Sequence, residues 1–179
     1  VDEADLVKTD GEFIYQVNNQ AVKIIKAYPA SQLREVESIS FANTDFNPLE
    51  LYIDGNRLVV IGGSNNGFDY PIIQEKKVAA EMYMPPFYRQ GVKAVIYDIT
   101  NRSDAKKLRE IELEGNYLSS RKVGNNLYLL ANKWVNNYSA ESGEAELRPY
   151  YRDSVVQNGA MPIDYSAIRY FPDCVQANY

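Results

Sequence analysis

The feature that most constrains this chain is a repeat. Residues 108–115 read L-R-E-I-E-L-E-G, and residues 33–39 read L-R-E-V-E-S-I. Each follows a shorter apolar run, V-K-I-I-K-A at 22–27 and V-I-Y-D-I-T at 95–100. Further upstream in each unit stands an Asp-Gly pair, Asp10-Gly11 and Asp54-Gly55, followed by a strand-like stretch, E-F-I-Y-Q-V at 12–17 and R-L-V-V-I at 57–61. Asp-Gly between apolar runs marks a tight hairpin, because such turns need a left-handed backbone that glycine adopts without strain. An isolated sheet of short strands cannot bury both faces, so successive copies must stack.

The two Asp-Gly pairs lie 44 residues apart, the period of a propeller blade. The first unit covers 1–41, with Asn18-Asn19 as a second turn and Pro29 and Ser31 in a loop before the fourth strand. The second covers 49–114, interrupted by an insertion at 64–91 that opens with Gly62-Gly63-Ser64-Asn65-Asn66-Gly67. That glycine-rich stretch lacks the Lys-Ser/Thr of a phosphate loop and no helix follows it, so it reads as a loop start. The third unit covers 117–179. Its turn is Val123-Gly124, and its insertion spans 132–166. Its third and fourth strands are not found. The expected fold is all-β, with four-stranded antiparallel blades of propeller type. About two and a half blades leave the ring incomplete, since closed propellers need roughly four or more.

Composition narrows the chemistry. The chain is 45% hydrophobic and 24% charged, a globular balance. Its 15 tyrosines suit pleated, half-buried surfaces. A net charge of −5 argues against a nucleic-acid partner or an anionic membrane surface. There is no histidine, which removes Ser-His-Asp and Cys-His catalysis and His-ligated zinc together. The single cysteine, Cys174, cannot form an internal disulfide. No run approaches the ~18 apolar residues of a membrane helix, so this segment is not expected to insert into a bilayer.

Binding residues concentrate on loops held by a rigid scaffold, and long loops in compact domains are usually functional or disordered. Both insertions join the second strand of a blade to the third, so both are expected at one end of the blades, with the links 42–48 and 115–116. Tyr83, Phe87, Tyr88, Trp134 and Tyr138 are the candidate ligand-binding residues. They read first as a satellite core pinning the insertions to the blades and second as aromatic platforms for a glycan or protein. Asp2, Glu3 and Asp5 form an acidic cluster, a candidate calcium site because hard cations take carboxylate oxygens. Strand alternation opposes it by sending Asp2 and Glu3 to opposite sides. No other cofactor is implied. Asp5, Asp45, Glu50 and Asp54 are eligible for a hydrolytic carboxylate pair, and nothing singles out two of them.

Several stretches carry a family resemblance. V-D-E-A-D-L-V-K-T-D-G at 1–11, L-Y-I-D-G-N-R-L-V-V-I-G at 51–62 and V-I-Y-D-I at 95–99 resemble the secreted bacterial β-propeller family distantly related to WD-repeat proteins. Y-L-S-S-R-K-V-G-N-N-L-Y-L-L at 117–130 and R-Y-F-P-D at 169–173 match it too. The resemblance implies a propeller and an extracytoplasmic setting in bacteria, and carries no catalytic residues with it. The chain opens at Val1 without Met, so it reads as a processed or excised piece. Two functions stay open: a non-enzymatic extracytoplasmic binding or scaffold module with a protein or glycan partner at the insertion end, and a hydrolase of cell-envelope polysaccharide. The truncated third unit further predicts self-association through the open edge of 127–131, or else a gap filled by the chain's own insertion.

Overall fold

In a computed structural model, which describes residues 2–65, 90–133 and 148–168, the chain forms three antiparallel sheets. The described residues contain no α-helix. Blade one is β1 (Val7–Thr9), β2 (Phe13–Asn18), β3 (Ala21–Lys26) and β4 (Arg34–Ser40), paired in chain order. Blade two is β5 (Phe46–Asp54), β6 (Arg57–Ser64), β7 (Gly91–Asp98) and β8 (Lys106–Glu114), again in chain order. Blade three contributes β9 (Asn116–Val123) and β10 (Asn126–Asn132). The glycine of each first turn has positive φ: +96° at Gly11, +55° at Gly55 and +56° at Gly124. The third turn therefore keeps the conformation although valine replaces aspartate before it. The left-handed glycine is what the repeat preserves.

Blade two is the hub. Alternation along its strands sends Leu51, Leu58, Val60, Val95 and Tyr97 toward blade one, where they meet Tyr15, Val22 and Ile24. The same strands send Tyr52, Ile61, Val92 and Ala94 toward blade three, against Tyr117, Leu127, Leu129 and Ala131. This is why 57–61 and 92–97 read as nearly continuous apolar runs: both of their faces are covered. Leu118, Tyr128 and Leu130 point the other way and are exposed. Among the described residues β10 pairs only with β9.

The opening residues are part of this framework. Asp2 exchanges both backbone hydrogen bonds with Lys122 on β9, at 2.8 and 3.0 Å. Asp5 does the same with Leu51 on β5, at 3.3 and 2.9 Å. The segment thus bridges the first strands of blades two and three before entering β1.

One expectation needs correction. The stretch 132–166, read as a single long loop, contributes β11 (Tyr150–Asp153) and β12 (Gln157–Pro162). β11 pairs antiparallel with β8, so blade two becomes a six-stranded sheet in the order β12-β11-β8-β7-β6-β5. Ion pairs join the added hairpin to β8. Arg109 pairs with Asp153 through two hydrogen bonds, and Arg152 Nη1 donates to Glu112 Oε2 at 3.1 Å. Tyr150, on β11, is buried and donates its backbone N–H to Glu114 Oε2 at 3.1 Å.

Candidate functional site

Both insertions are anchored at one end of the blades. The first leaves β6 after Ser64 and returns to β7 at Gly91; the second leaves β10 after Asn132. Their flanks meet at Gly115, whose backbone N–H donates to Gln90 O at 2.8 Å. A Cβ at Gly115 would lie 2.8 Å from Asn132 O, and its φ of +122° suits glycine alone. The candidate residues Tyr83, Phe87, Tyr88, Trp134 and Tyr138 lie outside the described residues, as does Cys174.

Beneath the first insertion's flanks sits a part-buried charged cluster. Lys93 shares a face of β7 with Val95 and Tyr97, and its side chain is 8% exposed. Its ammonium donates to both Asp45 oxygens, at 3.1 and 2.9 Å, and lies 3.2 Å from Glu110 Oε1. Ser64 Oγ donates to Asp45 Oδ2 at 2.9 Å. Burial pushes the Asp45 carboxyl up, but Lys93 and Ser64 outweigh it and hold the group below its ordinary range. Burial likewise pushes Lys93 down, and Asp45, Glu112 and Glu110 outweigh that. Glu110 follows the same logic: the burial cost is overcome by Lys93 and Lys107. All three groups are therefore charged at neutral pH. The protonated ammonium, held between carboxylates, fastens link 42–45 to the blade. Glu112, opposite Lys93 on β8, gives Oε2 to Arg152 while its buried Oε1 has no hydrogen-bond partner.

The other end is closed by short turns and one arginine. Arg102, in the loop between β7 and β8, reaches both neighbouring turns. Its Nη1 donates to Asn56 Oδ1 at 2.6 Å and Ile99 O at 2.7 Å. Nη2 donates to Gly55 O at 3.2 Å and Asp10 Oδ2 at 3.3 Å, and Nε donates to Tyr15 OH at 3.1 Å. Tyr15 OH donates in turn to Asp10 Oδ2 at 2.8 Å. Burial and the Asp10 carboxylate push the Tyr15 phenol up to about 12.

Three stacked antiparallel sheets, in which β1–β4, β5–β8 and β9–β10 pair in chain order and repeat one glycine turn, make a blade array. A family model described as a beta propeller domain matches residues 1–179. The chain belongs to the beta-propeller domain family. Comparisons with curated proteins and with solved structures give no match.

In this propeller the acidic opening residues are spread along the innermost strands. Asp2 Oδ1 pairs with Lys8 at 2.9 Å, Glu3 pairs with Arg121 at 3.3 Å, and Asp5 Oδ1 accepts from Leu6 N at 2.7 Å. The three carboxylates are not brought together. Among the described residues no group of three or more Asp, Glu, Cys or His side chains could hold a metal ion. The remaining carboxylates eligible for hydrolysis are also dispersed. Asp45 holds Lys93, Glu50 accepts from Tyr117 OH at 2.6 Å, and Asp54 pairs with Lys122 at 2.9 Å. No helix among the described residues is long and apolar enough to cross a membrane.

Sequence reading missed both polar clusters. Lys93 carried a signal, as a lone lysine inside the apolar run V-K-A-V-I-Y, but nothing there named Asp45. Arg102 lay in a polar loop and carried none.

Proposed function

We propose that this β-propeller domain is a non-enzymatic, extracytoplasmic binding or scaffold module whose ligand face is built by the two insertions. One observation carries the reading: the flanks of both insertions converge on Gly115 at one end of the blades. The strands below supply a rigid platform, and the Lys93 cluster fastens the neighbouring link to it. Loops raised on such a platform are where protein folds commonly place recognition. Aromatic residues in those loops, Tyr83, Phe87, Tyr88, Trp134 and Tyr138, suit the faces of sugar rings or apolar peptide side chains. The extracytoplasmic setting is supported by the likeness of 1–11 to secreted bacterial propellers.

The test is a combined glycan and peptide array, run with the wild-type chain and with variants in which 66–89 or 134–147 is replaced by a short turn. Binding should fall at least about tenfold in one or both variants while the melting temperature stays near wild type. Unaltered binding in both variants would refute the reading. So would polysaccharide turnover that disappears when one pair of carboxylates is changed to amides.

A further inference from the structure

The end opposite the insertions holds a groove of about 720 Å³ between blades one and two. Strands β2, β3 and β4 wall it on one side, and residues 55–56 and 100–103 on the other. Arg102 fixes the separation of these walls, because it donates to Asp10 and Tyr15 on blade one and to Gly55, Asn56 and Ile99 on blade two.

The charges lining the groove do not cancel. Arg102 lies 3.3 Å from Asp10, and Lys26 lies 3.0 Å from Glu12. Arg34 also lines the groove, and its one polar contact among the described residues is a long donation from Nη1 to Gln32 O at 3.4 Å. On a chain of net charge −5, this wall therefore keeps an uncompensated guanidinium. The neutral groups are polarised the same way. Asn56 Oδ1 already accepts from Arg102, and Asn101 Oδ1 from Ser103 N at 3.1 Å. Their Nδ2 groups are left to donate. The groove thus offers donors and one spare positive charge, beside the half-buried ring of Phe13.

We propose that this groove binds an acidic saccharide, with a uronic-acid carboxylate on the Arg34 fork and ring or hydroxyl oxygens on Asn56 and Asn101. Arginine presents parallel N–H donors that match a carboxylate. Sugar hydroxyls can accept from the asparagines while their own protons turn to water. An extended peptide would bring backbone N–H groups needing acceptors, and the Asn Oδ1 atoms and both oxygens of Asp10 are already engaged. The site is separate from the insertion face, so its test stands apart from the reading above.

Calorimetric titration of the whole chain at low salt provides that test, with trigalacturonate as the probe. Its methyl ester, a tetraglutamate peptide and inorganic phosphate are the comparators. Trigalacturonate should bind with a dissociation constant at or below about 1 mM. The methyl ester, which keeps the rings and removes the charge, should bind about tenfold or more weaker, as should Arg34→Gln with the acid. Arg34→Lys should fall between, keeping the charge and losing the fork. Asn101→Ala, on an exposed loop, should weaken binding a few-fold at unchanged melting temperature. No binding at about 10 mM, equal affinity for acid and ester, or full affinity in Arg34→Gln would each overturn the proposal. Tighter binding of tetraglutamate would assign the groove to a peptide, and tighter binding of phosphate to a small anion. Either would overturn the saccharide.

Discussion

The two seams that flank blade two are built on different principles. The seam with blade one is wide and apolar, with Tyr15, Ile24, Leu51, Leu58, Val60 and Ile99 fully buried in it. Its polar groups stand at the rims, with Arg102 at the turn end and Lys93 with Asp45 at the insertion end. The seam with blade three is narrower. Its buried apolar members are Tyr52, Ile61, Val92 and Ala94, backed by half-buried Leu127 and Leu129. A hydrogen-bonded network runs through it: Tyr52 OH and Tyr117 OH lie 2.9 and 3.0 Å from Ser120 Oγ, and Tyr117 donates to Glu50. Among the described residues blade one presents four strands to its neighbour and blade three presents two, so there the second seam covers less of blade two. A repeat can thus preserve strand pairing while each interface finds its own balance of burial and hydrogen bonding.

Leu58→Ala empties a fully buried site in the wide seam and should destabilise the chain by about 2–5 kcal/mol in guanidinium unfolding. Leu129→Ala, half-buried in the narrow seam, should cost clearly less. Equal losses would mean that the seams do not differ in apolar drive. Arg102→Ala should follow, at roughly 1–3 kcal/mol, because it removes donors to five oxygens across the first seam. Arg102→Lys should recover little of this, since one ammonium cannot reach acceptors arrayed around a planar fork. Full recovery by lysine would reduce the clasp to simple charge.

A smaller effect sharpens the account of the narrow seam. Tyr52→Phe removes one hydrogen bond to Ser120, which keeps its contact with Tyr117, and should cost about 1 kcal/mol. A neutral substitution there would show that burial alone holds blade three.

At neutral pH the smallest signal is the alkaline one, because it is absent below pH 10. Burial, then Asp10, pushes the Tyr15 phenol up to about 12. Burial, then Glu110, does the same for Tyr97, and burial, then Glu50, for Tyr117. A phenol that holds its proton more tightly when folded contributes stability that is complete below its unfolded value near 10. That contribution is lost as pH rises from there through about 12. Unfolding free energy should therefore decline over that window. Tyr97→Phe in the wide seam and Tyr117→Phe in the narrow one should each flatten the decline. A wild-type profile flat from pH 10 to 12 would contradict these assignments.

Local chemistry was legible without the fold. The turns at Gly11, Gly55 and Gly124 follow from a requirement that a single residue satisfies, a left-handed backbone without a Cβ clash. The runs at 57–61 and 92–97 declared strands by composition, and their order along the chain became the order in the sheets, since neighbouring antiparallel strands need only short turns. What the fold alone decided lies between residues far apart in the chain. Asp45 meets Lys93 across 48 positions, and Asp10 meets Arg102 across 92. Segment 150–162 could have extended any free edge, and it adds to β8 because Arg109, Glu112 and Glu114 wait there with matching partners. A turn is set by the backbone energies of a few adjacent residues. A buried ion pair exists only where packing has already brought two charges together and removed the water between them.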